Sequence, residues 1–253
     1  MNACTWGRRH VCTVAAAVAV LLAQGRDARA QTGPVKGTVK LPDPSLRGDP
    51  PERNRGFLPR MSNPIIAPLK YDPLPWLVVV LEPRGELDEE QRQPPKVPAT
   101  YRLVGEAFAS PLFAVAAGGE VSIRNDSRHP RQLYSPTDGD LLAGDTINPK
   151  GDRIAKIATP YRVIEIRDKE SPHLVGRIVA FPLRYTSLVA ADGSFEIADV
   201  PAGKWEVRLW YRDGWLAHKR QTVTVAGRRG ARVQIALPAV LEVERPAAGG
   251  EGK

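Results

Sequence analysis

The stretch Trp76-Leu77-Val78-Val79-Val80-Leu81 decides the fold class, because it is a continuous apolar run of strand length. A strand with one solvent-exposed face alternates apolar and polar residues. An uninterrupted apolar run therefore indicates a central strand that is covered on both faces. Other runs in the chain do alternate with a period of two, which predicts strands with one buried face. These runs are Val35 to Leu41, Ser194 to Ile197 and Trp205 to Leu209.

Turn signals separate the predicted strands. They are Gly118-Gly119, Pro149-Lys150-Gly151, Asp192-Gly193, Pro201-Ala202-Gly203 and Asp213-Gly214. Short strands between regularly spaced turns, with no long amphipathic helix pattern beyond the N-terminal segment, predict an all-β protein built from β-sandwich units.

Three further segments have the composition of connections or tails. The region from Pro42 to Pro75 is rich in proline and should run over the surface as an extended, irregular excursion. The polar stretch from Gly85 to Pro98 should link two folding units. Residues 241–253 end in a run poor in apolar side chains, so we expect a flexible tail.

Residues 1–30 have the three parts of a secretion signal in order. Arg8-Arg9 provides the basic start, Val11 to Ala23 the apolar core, and Ala28 and Ala30 the small residues before a cleavage site. The core is shorter than the roughly 20 residues that cross a bilayer, so cleavage is favoured over anchoring. We therefore expect a periplasmic or secreted protein with no membrane span after cleavage, and an uncleaved amphipathic N-terminus is the alternative.

Both cysteines of the chain, Cys4 and Cys12, lie inside this predicted signal. The processed chain would have neither thiol nor disulfide, and a type 1 copper centre needs a thiolate. Removal of the signal takes away four arginines and one aspartate, so the formal net charge falls from +8 to +5. The remaining charges are interspersed, as in Arg167 to Glu170, and no dense basic block predicts binding of nucleic acid.

Several short segments occur in an order that is typical of one family. They are Gly37-Thr38-Val39, Val78 to Glu82, Ala107 to Val115, Gly119-Glu120-Val121, Asn125-Asp126, Tyr134-Ser135, Pro149-Lys150-Gly151, Ala191 to Phe195 and Val200 to Gly203. With them the chain resembles bacterial periplasmic proteins of the cupredoxin-like or methylamine-utilisation-like type. In that family a cupredoxin is combined with a carboxypeptidase-regulatory-like (transthyretin-like) β-sandwich.

The resemblance implies two sandwich units. A discontinuous carboxypeptidase-regulatory-like sandwich would comprise residues 34–84 and 184–240, and a Greek-key cupredoxin-like unit at 100–182 would be inserted in it. The alternative is a tandem arrangement, in which the N-terminal strand joins the cupredoxin-like unit instead.

The resemblance also implies where copper ligands would lie, and none is retained. The first histidine position falls on Arg131, and the positions of the later cysteine, histidine and methionine fall on Asp168, Ser171 and Leu174. A guanidinium has no lone pair to donate and repels a metal ion. We therefore expect a degenerate cupredoxin-like domain with no cofactor, in which an Arg131–Asp168 pair fills the vacated position.

Two histidines near these positions leave a metal hypothesis open. His129 and His173, together with Asp168 or Glu170, have the nitrogen and oxygen donors that Zn²⁺ or Cu²⁺ accepts. On this alternative the protein would be a metal-binding or electron-transfer accessory.

No catalytic motif is apparent in the sequence, which leads us to expect a protein that is not an enzyme. The chain has no H-E-x-x-H run and no G-x-S-x-G elbow, and a cysteine nucleophile would be absent from the processed chain. The carboxylate pair Glu242 and Glu244 has the pattern of a solvated strand edge.

An aromatic cluster near the C-terminus is the best candidate binding surface. In a strand, Trp205 and Tyr211 would share the core face, and Trp210 would lie on the opposite face between Arg208 and Arg212. We expect Trp210 to be partly exposed and, with Trp215, to contact a ligand or a partner. The alternatives are a carbohydrate-binding module that uses these two tryptophans, and packing of Trp210 beneath the inserted domain.

The hypothesis that accounts for most of these features is a non-catalytic secreted or periplasmic binding or scaffold protein. Its partner would be an envelope protein or a polysaccharide.

Overall fold

The computed structural model describes residues 31–42, 72–142 and 146–244. The predicted signal peptide, almost all of the proline-rich excursion and the end of the predicted tail lie outside these residues. The described strands are β1 (Thr32–Lys40), β2 (Leu77–Pro83), β3 (Ala99–Val104), β4 (Ala107–Phe108), β5 (Leu112–Ala116), β6 (Glu120–Asn125), β7 (Leu133–Tyr134), β8 (Asp152–Lys156), β9 (Val163–Asp168), β10 (Val175–Phe181), β11 (Thr186–Leu188), β12 (Ser194–Pro201), β13 (Gly203–Tyr211), β14 (Gly214–Leu216), β15 (Gln221–Val225), β16 (Ala231–Ala236) and β17 (Val243–Glu244). The prediction of an all-β protein is confirmed.

Helix is confined to single turns in this part of the chain. The helix α1 (Glu89–Arg92) lies within the segment predicted as a linker, and Asp88 caps it. Two 3₁₀ turns, Leu74–Trp76 and Gly227–Arg229, lead into β2 and β16. No helix in the described ranges has the length and apolarity needed to cross a membrane.

The strands form four sheets, which we number by layer. Sheet 1 has the order β12-β1-β16, and sheet 2 has the order β11-β2-β13-β14-β17 with β15 also paired to β13. Sheet 3 has the order β5-β10-β9-β7, and sheet 4 has the order β4-β3-β6-β8. The strands of sheets 1 and 2 come from both ends of the described chain, and those of sheets 3 and 4 come from the segment between.

Three apolar clusters hold the sheets together, and they give the layer order 1-2-3-4. One core lies between sheets 1 and 2, and another lies between sheets 3 and 4. The third joins the outer faces of sheets 2 and 3, through side chains of β2, β13 and β14 on one side and of β5 and β10 on the other. Two sandwiches therefore pack face to face.

The strand β2 confirms the expectation of a central strand covered on both sides. Leu77, Val79 and Leu81 contribute to the core between sheets 1 and 2, and Val78 and Val80 contribute to the cluster between the sandwiches. An alternating strand would have left one of these two contacts polar.

The strand β1 pairs with distant parts of the chain. It is antiparallel to β12 and parallel to β16, and no described strand between residues 99 and 181 pairs with it. Gly37 lies at its centre, where a Cβ atom would be 2.3 Å from the carbonyl oxygen of Val233 and 2.6 Å from the ring of Phe195. Only glycine fits such a close approach.

Candidate functional site: a buried arginine at the predicted ligand positions

Arg131 lies in the connection between β6 and β7, where its backbone is paired with that of Ile147. The Arg131 N–H donates to the Ile147 carbonyl oxygen at 3.0 Å, and the reverse bond is 2.8 Å. Asn125, the last residue of β6, holds the same connection. Its Nδ2 donates to the carbonyl oxygens of His129 and Ile147 at 2.8 Å each, and its Oδ1 accepts from the Ser127 N–H and hydroxyl.

The guanidinium of Arg131 is buried and every nitrogen has a partner. A guanidinium carries five N–H donors, and the structure gives Arg131 five acceptors. These are Ser127 Oγ at 3.3 Å from Nε, Asp168 Oδ2 at 3.3 Å and Ser171 Oγ at 3.0 Å from Nη1, and the Gly105 carbonyl oxygen at 3.2 Å and Glu106 Oε1 at 2.5 Å from Nη2. The side chain is 4% exposed, so no donor is left for a further ligand.

The two carboxylates around Arg131 differ in their access to water. The side chain of Asp168 is 0% exposed, and its Oδ1 also accepts the Gln132 N–H at 3.0 Å. That of Glu106 is 56% exposed, and the hydrogen bond from Arg131 lowers its pKa. Burial by itself would lower the pKa of Arg131, but the hydrogen bonds to Glu106 and Asp168 outweigh that effect and raise it. The cation is therefore held in its charged form.

Three of the four positions assigned to copper ligands meet in this network. Arg131 contacts both Asp168 and Ser171, so the expected Arg131–Asp168 pair is confirmed. Leu174 is 1% exposed and packs in the core between sheets 3 and 4. These four side chains supply a cation, a carboxylate, a hydroxyl and an aliphatic group, whereas a type 1 site needs imidazole nitrogen and thiolate donors.

The structure does not place His129 and His173 together with other ligands as a metal site. Both residues are exposed. His173 Nε2 lies 3.8 Å from Glu106 Oε2, and Asp168 is already occupied by Arg131 and Gln132. Among residues 31–42, 72–142 and 146–244, no group of three histidine, cysteine or acidic side chains is placed to hold a metal ion.

A shallow cleft of about 230 Å³ opens beside this network. Its lining includes Asp126, whose carboxylate lies 2.6 Å from Arg102 Nε, 3.2 Å from Arg124 Nε and 3.5 Å from Lys150 Nζ. Hydrogen bonding from Arg102, with a further contribution from Arg124, lowers the pKa of Asp126 from its ordinary value of 3.8. The carboxylate joins two adjacent strands, since Arg102 is on β3 and Arg124 on β6.

We expect Asp126→Asn to reduce the sensitivity of the protein to acid. A carboxyl whose pKa is lower in the folded state stabilises the protein above its unfolded pKa, and that contribution is lost as the pH falls through the folded value. Urea unfolding measured from about pH 5 down to about pH 2 should therefore show a shallower loss of stability in the variant. Glu86→Gln, at an exposed carboxylate, is the control and should follow the parent protein. An unchanged pH dependence in Asp126→Asn would contradict this assignment.

The aromatic cluster is buried, and the expectation that Trp210 is partly exposed is wrong. Trp210 is 0% and Trp215 7% exposed, because β5 and β10 cover the face of sheet 2 on which they lie. Trp210 packs edge-on against Trp215 and Phe181, with ring centroids 5.2 Å and 5.5 Å away, and Tyr161 completes the cluster. The packing alternative is the correct one, and Trp210 is not available to stack on a sugar.

Arg208 and Arg212 lie at the border of this cluster. The Arg208 guanidinium carbon is 3.7 Å from the centroid of the Trp215 ring, and its Nη1 is 2.9 Å from Glu82 Oε1. The guanidinium carbon of Arg212, an exposed residue, lies 5.1 Å from the centroid of Trp76. Both cations therefore contact aromatic faces at the edge of the interface between the sandwiches.

A second cleft, of about 420 Å³, lies at the edge of sheet 2. Arg208, His218, Lys219, Arg220 and Glu244 contribute to its lining. Burial lowers the pKa of His218 below its ordinary value, and a backbone hydrogen bond at Ala236 partly offsets that effect.

Sequence reasoning missed residues of both the Arg131 network and the aromatic cluster. Glu106 and Ser127 belong to the Arg131 network, and Tyr161 and Phe181 belong to the aromatic cluster. The Gly105-Glu106 pair between two short strands is a recognisable hairpin signal. Nothing in the sequence, however, indicates that this hairpin reaches Arg131, which is 25 residues away from Glu106.

Comparisons with known proteins give a partial likeness. No protein-family model and no curated protein matches the chain. Similar solved structures are cupredoxins. A purple cupredoxin from Nitrosopumilus maritimus is 14% identical with a TM-score of 0.30, and the match covers 32% of this chain and 98% of that one.

Two further solved structures give similar values. A fern plastocyanin variant is 15% identical with a TM-score of 0.29, and the match covers 32% of this chain and 99% of that one. A reduced amicyanin variant is 12% identical with a TM-score of 0.30, over 35% of this chain and 92% of that one. The fold given above rests on the strand pairing and burial of this chain itself.

Proposed function

We propose that the protein is a non-catalytic binding or scaffold protein of the bacterial envelope, exported to the periplasm or secreted. In this proposal residues 100–182 form a degenerate cupredoxin-like domain that has no copper. Residues 34–84 and 184–240 form the carboxypeptidase-regulatory-like sandwich that adjoins it. The partner would be an envelope protein or a polysaccharide.

The observation that carries the proposal is the saturated guanidinium of Arg131. It occupies the position where the resemblance places the first copper ligand, and each of its N–H donors has an acceptor from the chain itself. A cation that is buried and paired in this way offers a metal ion neither a lone pair nor a vacant position, and removing it would leave Asp168 as an uncompensated buried charge. The network is thus suited to holding loops together rather than to redox chemistry.

The contact between the sandwiches gives further support to a scaffold role. Trp210, Trp215, Phe181 and Tyr161 pack together between sheets 2 and 3, so the two sandwiches share a buried aromatic interface. Interfaces of that kind hold domains in a fixed relative position. A protein that presents surfaces at a fixed spacing needs such an interface.

The test is elemental analysis of the purified protein, followed by calorimetric titration with Cu²⁺ and Zn²⁺. We expect far less than one metal per chain and no saturable binding of either ion. Near-stoichiometric metal that is lost in a His129→Ala/His173→Ala double variant would contradict the proposal and establish the metal-binding alternative. His218→Ala, a change in the other sandwich, is the matched control.

The binding role needs a separate measurement. Crosslinking in intact cells, followed by fractionation, should recover the protein from the periplasm or medium in a stable complex with an envelope component. Recovery from the cytoplasm, or as an uncomplexed chain under all crosslinking conditions, would contradict this part of the proposal.

A further inference from the structure

The strand β8 forms an open edge of sheet 4. It pairs with β6 on one side, and the sheet ends there. The other edge strands of comparable length are β5, β12, β15 and β16, and each lies against a strand of another sheet. The edge strands β4, β7, β11 and β17 have only two or three residues. Among the described strands, β8 is thus the longest edge that no neighbouring strand covers.

The hydrogen-bond register shows which backbone groups of β8 face outward. The Asn125 N–H donates to the Gly151 carbonyl oxygen at one end of the ladder, and the Ile157 N–H donates to Gly119 at the other. The odd-numbered residues therefore exchange hydrogen bonds with β6. By the same alternation, the N–H and C=O groups of Asp152, Ile154 and Lys156 point away from the sheet. Exposed edges of this kind pair readily with another strand.

The side chains of these three residues also share one face. Asp152, Ile154 and Lys156 are exposed, whereas Ala155 between them is buried in the core. Ile154 is 56% exposed, which is unusual for an aliphatic side chain in the centre of a described strand. Asp152 accepts a hydrogen bond from the Ser122 hydroxyl at 2.7 Å.

The sequence of β8, Asp152-Arg153-Ile154-Ala155-Lys156, is complementary to itself when it is read antiparallel. A pairing centred on Ile154 sets Ile154 opposite its own copy and sets Asp152 opposite Lys156 of the second copy, on both sides of the centre. Opposite charges directly across a strand pair are stabilising, and like charges are destabilising. A parallel pairing in register would set Asp152 opposite Asp152 and Lys156 opposite Lys156 of the second copy. The charges therefore favour the antiparallel arrangement.

We propose that two copies of the protein associate through β8 in an antiparallel, two-fold symmetric pair centred on Ile154. The outward N–H and C=O groups of Asp152, Ile154 and Lys156 then bond across the interface, and sheet 4 continues into sheet 4 of the second copy. A two-fold interface uses the same surface patch on both copies, and a self-complementary strand supplies such a patch. The proposal concerns a surface apart from the Arg131 network and is independent of metal content.

Analytical ultracentrifugation with charge-reversal variants tests this interface. The parent protein should show a reversible monomer–dimer equilibrium over a concentration series. Asp152→Lys and Lys156→Asp should each weaken dimerisation at least about tenfold, because each places like charges across the strand pair. An equimolar mixture of the two variants should dimerise again, because each introduced charge then faces its opposite.

Two further variants separate loss of the interface from loss of the fold. Ile154→Pro removes an N–H that β6 does not use, so the variant should keep its thermal unfolding transition and become monomeric. Lys36→Glu breaks an ion pair of 2.9 Å with Glu196 on sheet 1 and should leave the dimer unchanged. A parent protein that is monomeric at every concentration would overturn the proposal. So would a dimer that survives both Ile154→Pro and Asp152→Lys.

Discussion

Replacing Arg131 with methionine is expected to lower the free energy of unfolding by about 3–5 kcal/mol, which is the usual cost of breaking a buried ion pair. The change leaves the Asp168 carboxylate, whose side chain is 0% exposed, without its cation. It also removes the donor that joins Gly105, Ser127 and Ser171, which belong to three separate loops. Urea unfolding followed by circular dichroism measures the effect.

The double variant Arg131→Met/Asp168→Asn makes this prediction specific to the ion pair. An asparagine keeps an acceptor for the Gln132 N–H and carries no charge, so the double variant should recover a large part of the lost stability. Arg102→Met removes an arginine that is 58% exposed, and its effect should be within about 1 kcal/mol. A loss in Arg131→Met no larger than that in Arg102→Met would contradict a structural role for the network.

Replacing Trp210 with alanine is expected to cost about 3–5 kcal/mol, in the range observed for large aromatic residues in cores. The residue is 0% exposed and fills the cluster between the sandwiches, where it contacts Trp215, Phe181 and Tyr161. Because the cavity would lie at the interface, the two sandwiches should also unfold less cooperatively. Urea unfolding, followed both by tryptophan fluorescence and by circular dichroism, should give transitions that no longer coincide.

Trp205→Ala is the matched control for this loss of cooperativity. Trp205 is also buried, but it packs in the core between sheets 1 and 2, where it lies 4.9 Å from the ring of Tyr185. Loss of the Trp205 side chain should destabilise the protein by a similar amount, but it leaves no cavity in the interface between the two sandwiches. If Trp210→Ala is tolerated within about 1 kcal/mol, the cluster does not hold the sandwiches together.

Local pattern was sufficient to predict strands, because the period of apolar residues reports directly on which faces are covered. The run from Trp76 to Leu81 predicted a strand covered twice, and the structure places its alternate side chains in two different clusters. The same kind of reasoning failed for Trp210. It established that Trp210 and Trp205 face opposite ways, but it could not decide whether the face of Trp210 is exposed to solvent, as we expected, or packed beneath the other unit, which was the alternative. A second sandwich covers that face. The alternation of apolar and polar residues in one strand shows which side chains share a face, but it does not show whether another sheet packs on it.

The candidate site was predictable only in part for a related reason. The resemblance, and not spacing alone, placed Arg131 and Asp168 together. Glu106 and Ser127 were missed, because their contact with Arg131 depends on how a hairpin and a loop close over the end of the sandwich. A charged residue in a two-residue turn has the same local pattern whether it faces water or an arginine. Its role becomes visible only once the distance between the two chain segments is known.

A crystal structure of the protein soaked with Cu²⁺, with an anomalous difference map measured at the copper edge, tests the central claim most directly. We predict that Arg131 keeps its contacts to Asp168, Ser171 and Glu106 and that no anomalous peak lies within coordination distance of these residues. An ordered copper ion at this position, with Arg131 displaced and His129 or His173 turned towards the metal, would contradict the account.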